Sequence, residues 1–150
     1  MGRIHNQRAY KYIKRSFLEE NPYIDRFKLF IPEANSTGKF GETLTDPIVG
    51  YPGEGSSDTY LSAGQFAMEE EPMNLERYMK TKFFRALLGV KKVTQHCPPH
   101  VWKMIPLQDF TKNSDIDWSK SIHEIDLQLY RKYGLDEKEI EFIESHVKEM

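Results

Sequence analysis

From Asn74 to His96 apolar residues return every three or four positions: Leu75, Met79, Phe83, Ala86, Leu87 and Val90 share one face of a helix. The spacing predicts a single long helix over 74–93 with that face buried. Glu69, Glu70, Glu71 and Pro72 precede it, where negative charge complements the helix dipole and proline costs least. Upstream, short runs rich in aromatic and β-branched residues predict strands at Phe27 to Ala34, Pro47 to Pro52 and Thr59 to Phe66. Pro32 sets the end of the first at an edge or exit. In the third, Tyr60, Ser62 and Gly64 alternate with Leu61, Ala63 and Gln65. The two faces differ little in polarity, which predicts cover on both sides.

Downstream, Pro98, Pro99 and Pro106 exclude continuous regular structure, yet Val101, Trp102, Met104, Ile105 and Leu107 bring much apolar area. A short helix or strand pressed onto the core is expected. Thr111 to Ser121 reads as a polar loop anchored by Trp118. Ile125, Leu129 and Tyr133 mark a helix stopped by Gly134. Asp136, three residues before Glu139, then opens a last helix with Ile140, Ile143 and Val147 on its apolar side. The fold class is α+β: a small mixed or antiparallel sheet packed against a long basic helix, with a helical C-terminal tail. Residues 1–22 read as a basic arm or short helix ended by Asn21-Pro22, and 23–150 as one domain.

At 150 residues the chain can bury a core without staples. Its single cysteine, Cys97, excludes an internal disulfide framework and points to a reducing compartment. No apolar run reaches the roughly 18 residues of a membrane helix, and no signal-peptide pattern opens the chain. A cytoplasmic setting without membrane contact is expected. The net charge of −2 hides alternating blocks of +5 over 1–15, −8 over 16–73, +6 over 74–108 and −5 over 109–150. Basic blocks converging in space could track a phosphate backbone. They could equally pair with the acidic blocks inside the fold, and sequence leaves both open.

Catalytic signatures are sparse. His96 and His100 alone have helical i,i+4 spacing among the five histidines, but Cys97, Pro98 and Pro99 break that helix and no carboxylate lies nearby to complete a zinc site. Asp46, Glu54 and Asp58 with Lys39 offer the residue types of a metal-dependent nuclease at a spacing that fits no strand-borne pattern. Asn21-Pro22-Tyr23 is one proline short of the Asn-Pro-Pro-Tyr tetrapeptide of amino-methyltransferases, and no glycine-rich cofactor strand precedes it. The loop around Gly38-Lys39-Phe40-Gly41 can approach a ligand closely and offers one cation and one ring, suited to a phosphate or a base face, or serves as a plain turn.

The ordered series FIPEANSTGKFGE, PIVGYPGEGSSDTYL, YMKTKFFRALLGVKKVTQH, IPLQDFT and LYRKYGLDEKEIEFIE resembles the carboxy-terminal part of adenine-specific DNA methyltransferases of type II restriction-modification systems, the TaqI-like class. The likeness spans about residues 23 to 150. It implies a DNA-binding specificity domain, non-catalytic by itself, with double-stranded DNA and a methyltransferase catalytic domain or subunit as partners. S-adenosylmethionine would belong to that catalytic part, because its motif is absent here. The chain is then a fragment or a separately encoded specificity piece.

Carried over by position, phosphate contacts fall to Lys80, Lys82, Arg85, Lys91 and Lys92, with Thr94, Gln95 and His96 at the helix end reaching base edges. Lys39 and Phe40 form a second contact. Phe83, Phe84 and Leu87 read as core. Two further readings stand beside this one: a docking module that holds a methyltransferase or nuclease subunit, and the metal-dependent nuclease.

Overall fold

The computed structural model describes residues 2–5, 7–35, 37–92, 94 and 99–150. The chain begins with a ribbon of two short antiparallel strands, β1 (Gly2–Ile4) and β2 (Gln7–Ala9), where an arm or helix was expected. An extended, exposed segment with one 3-10 turn at Arg15–Phe17 follows. The sheet is built from β3 (Phe27–Pro32), β4 (Ile48–Gly50) and β5 (Tyr60–Phe66). β3 lies in the middle and pairs antiparallel with both neighbours. Leu29 and Ile31 point into the core from β3, and Lys28 and Phe30 alternate onto the other face. β5 is therefore an edge strand. Its Ser62 and Gln65 are exposed, so the cover expected on both sides is incomplete.

The expected long helix is two helices, α1 (Glu70–Lys80) and α2 (Lys82–Lys91). Thr81 between them is extended, at φ −64° and ψ 149°. Its hydroxyl donates to the carbonyl of Tyr78 at 2.7 Å and accepts from the N–H of Phe84 at 3.1 Å, so one side chain closes α1 and caps α2. The Asp126 carboxylate accepts from the N–H of Lys82 at 2.9 Å and of Phe83 at 2.8 Å. A break of this kind leaves the first N–H groups of the new helix without backbone partners in a buried place, and these two residues satisfy three of them, those of Lys82, Phe83 and Phe84.

A short helix α3 (Pro99–Trp102) leads to the loop that carries Trp118. That indole is buried against Tyr78 and Phe110, and its Nε1 donates to the Asp109 carbonyl at 3.0 Å, which is the anchor expected of it. The tail folds into α4 (Ile122–Tyr133) and α5 (Glu137–His146). Each opens with a complete capping box, Ser121 with Glu124 and Asp136 with Glu139, and Gly134 ends α4. Ile125 and Leu129 are wholly buried against Met79 and Phe83 from the α1 and α2 pair, in one core that also holds Leu29 and Ile31. The architecture is α+β, with an antiparallel sheet and a helical tail. Among the described residues no helix is long and apolar enough to cross a membrane.

Candidate nucleic-acid interface

The cationic face expected on the outside is largely inside. Lys82 is buried and pairs with Glu144 at 2.6 Å and Glu149 at 2.5 Å. Burial lowers its pKa, but the two carboxylates outweigh that and raise it, so it remains an ammonium. Tyr130 donates to the other oxygen of Glu144 at 2.9 Å. Arg85 is 2% exposed and spends its guanidinium on backbone: Nε on the Thr81 carbonyl at 3.3 Å, Nη2 on that of Lys80 at 3.2 Å and Nη1 on that of Glu42 at 3.5 Å. It holds the last carbonyls of α1 where the helix stops. Lys80 is half-buried between Glu76 at 2.9 Å and Asp46 at 3.2 Å. The +6 block thus meets the acidic blocks on either side of it within the fold, the second of the two possibilities that the charge pattern allowed.

Lys92 is the fourth inward cation, and it organises a surface. Its Nζ donates to Glu42 at 2.6 Å. The same carboxylate accepts from the N–H and the hydroxyl of Thr37 and from the N–H of Gly38, each at 2.8 Å. Burial pushes the Glu42 carboxyl up, but Lys92 and these donors prevail and hold it at about 2. One carboxylate therefore fastens the 37–41 loop to the end of α2.

The glycines of that loop are what let it lie so close. At Gly38, with φ +94°, a Cβ would stand 2.6 Å from the Thr94 nitrogen. At Gly41, with φ +70°, it would stand 2.1 Å from the His146 carbonyl oxygen, and the Gly41 carbonyl accepts from the N–H of Lys148 at 2.9 Å. Both positions need the left-handed backbone and the missing side chain. Phe40 between them rests on Gly89 of α2, with its ring 5.6 Å from that of Phe142. It packs between α2 and α5 and keeps 37% of its surface exposed.

Two segments fifty residues apart in sequence are in this way joined side by side, the 37–41 loop and the C-terminal turn of α2. Lys39 in the loop and Lys91 in the last turn of α2 are exposed, and neither makes an ion pair among the described residues. Thr94 is exposed beside Gly38. Gln95 and His96 lie outside the described residues, as do Cys97 and Pro98. Of the ten residues expected at DNA, Lys39, Phe40, Lys91 and Thr94 reach this rim, while Lys80, Lys82, Arg85 and Lys92 serve the interior. Phe83 and Phe84 are core, as expected, and Leu87 is partly buried against it.

Two organisers were not anticipated. Glu42 gave no signal beyond following the second glycine. Asp126 gave a readable one, since it stands on the apolar side of its helix, four residues before the buried Tyr130 and next to Ile125. A carboxylate there needs buried donors. The nuclease residues do not converge: Asp46 pairs with Lys80, and Glu54 accepts from the N–H of Tyr51 in its own turn. Among the described residues no three His, Cys, Asp or Glu side chains come together as a metal set. No family model, curated protein or solved structure matches the chain, and the family resemblance rests on its motifs alone.

Proposed function

We propose that this chain is the DNA-binding specificity domain of an adenine-methylating restriction-modification system, working beside a catalytic domain or subunit that binds S-adenosylmethionine. The observation that carries the reading is the junction of the 37–41 loop with the end of α2, where Lys39 in the loop and Lys91 in the last turn are exposed and make no ion pair among the described residues. A glycine-lined backbone with two exposed cations suits a phosphate backbone, with Thr94 beside Gly38 at the same place. The basic motif KTKFFR enters the reading indirectly: Lys82 and Arg85 brace the joint from which α2 projects.

The test is binding of the full chain to a labelled duplex across a salt series. Affinity should fall steeply with salt, and Lys39→Glu with Lys91→Glu should weaken binding and flatten the salt dependence by about two ions. Both substitutions are at exposed positions and should leave the melting temperature unchanged. Absence of binding at low salt, or binding indifferent to the double substitution, would refute the reading.

A further inference from the structure

Between α2 and α5 runs a groove of about 450 Å³. Phe83, Leu87 and Ile143 line its floor, and Phe40, Val90 and Phe142 its walls. Val90 is 64% exposed and Phe142 50%, a large apolar outlay for one place on a small surface. Asp136 and Glu139 stand at its edge with Lys138 between them, at the start of a tail that is acidic on balance, with six carboxylates and two lysines after Leu135.

The same chain carries a segment of opposite character. Tyr10, Tyr12, Ile13, Phe17 and Leu18 are all exposed, Tyr12 completely, and no acidic residue occurs before Glu19 while Lys11, Lys14 and Arg15 do. In its own molecule the segment stands off the sheet across a cavity of about 860 Å³ that it lines with Phe30 and Val49. Phe30 is on the sheet face opposite the one that Leu29 and Ile31 turn to the helices, so the sheet separates this segment from the groove.

We propose that the groove receives residues 10–18 of a second copy of this chain, in a reciprocal two-fold dimer. The apolar side chains enter between α2 and α5, and the lysines face the acidic edge. With the two copies related by a two-fold axis, each arm fills the other's groove and no groove is left open to a third copy. Five large side chains per arm bury on the order of 1,000 Å² over both contacts, enough for a specific interface. The proposal does not rest on DNA binding.

The experiment is the solution mass of the full chain by sedimentation and light scattering from micromolar to near-millimolar concentration. The mass should rise to that of two chains. Tyr12→Glu in the arm and Phe142→Glu in the groove should each weaken the dimer by about tenfold or more, as expected for a buried aromatic anchor. Both are exposed, and circular dichroism should show them folded. A mixture of the two variants should recover a dimer, since one intact arm still meets one intact groove. A single-chain mass throughout, a dimer indifferent to both substitutions, or a mixture that stays monomeric would overturn the proposal. So would a monomer in which Tyr12→Glu instead lowers affinity for DNA, which would assign the arm to nucleic acid.

Discussion

Replacing Lys82 by Met separates a structural cation from a DNA-binding one. Met keeps most of the aliphatic length and removes the charge, so Glu144 loses its partner at 2.6 Å and keeps the Tyr130 hydroxyl. Breaking a fully buried pair costs about 3–5 kcal/mol. Here Lys82 is nearly buried, but the Glu144 side chain is 29% exposed and that of Glu149 86%, so solvent screens part of the loss. The expected destabilisation is about 1–3 kcal/mol. For a domain of this size that lowers the melting temperature by roughly 3–10 °C. A double-mutant cycle with Glu144→Gln isolates the pair and should return a coupling of about 1 kcal/mol or more. Duplex affinity, measured at a temperature where the variant is fully folded, should not change. A melting temperature equal to the parent's, or a folded variant that has lost duplex binding, would refute the assignment of this lysine to the interior.

Two acidic side chains should give opposite pH dependences. Burial raises the Asp126 carboxyl to about 6 despite the two backbone donors on it, so the folded state holds its proton more tightly than the unfolded. Its contribution is present below the unfolded pKa and is lost as pH rises through about 6. The stability difference between parent and Asp126→Asn should therefore move in the variant's favour by up to about 3 kcal/mol from pH 4 to 7, read by urea titration. Glu42, held at about 2, contributes above its unfolded pKa and loses that contribution as pH falls through the folded value. Glu42→Gln should flatten the acid limb of stability by up to about 3 kcal/mol. Gly41→Ala puts a methyl group 2.1 Å from the His146 oxygen at positive φ, and should lower the melting temperature by several degrees and detach the 37–41 loop from the C-terminal tail, seen as faster amide exchange at Lys148.

Most elements were legible because each announces itself locally. Runs of aromatic and β-branched residues marked β3 and β5, the Asp136 and Glu139 pair marked the start of α5, and Trp118 marked an anchored loop. The break at Thr81 was not legible, since Met79 and Phe83 keep the helical step across it. What ends α1 there includes the Asp126 carboxylate, some forty-four residues on, which makes the extra donors of a new helix start affordable. The direction of the basic face was hidden for the same reason. Lys82 and Lys92 look solvated in sequence, and their carboxylates are 62 and 50 residues away. Charge blocks report composition, whereas the fold decides which blocks meet. The candidate site was half legible: the glycine loop and the helix end were each singled out, and only the structure joins them through Glu42.

The central claim is that the rim formed by the 37–41 loop and the end of α2, and not the KTKFFR motif, faces DNA. Amide chemical-shift mapping of the labelled chain with a short duplex at low salt tests it most directly. Perturbations should concentrate at Gly38, Lys39, Gly41, Lys91 and Thr94 and leave the amides of Lys82, Phe83 and Asp126 in place. Shifts centred on Lys82 and Arg85 with a quiet rim, or no shifts at all, would contradict it.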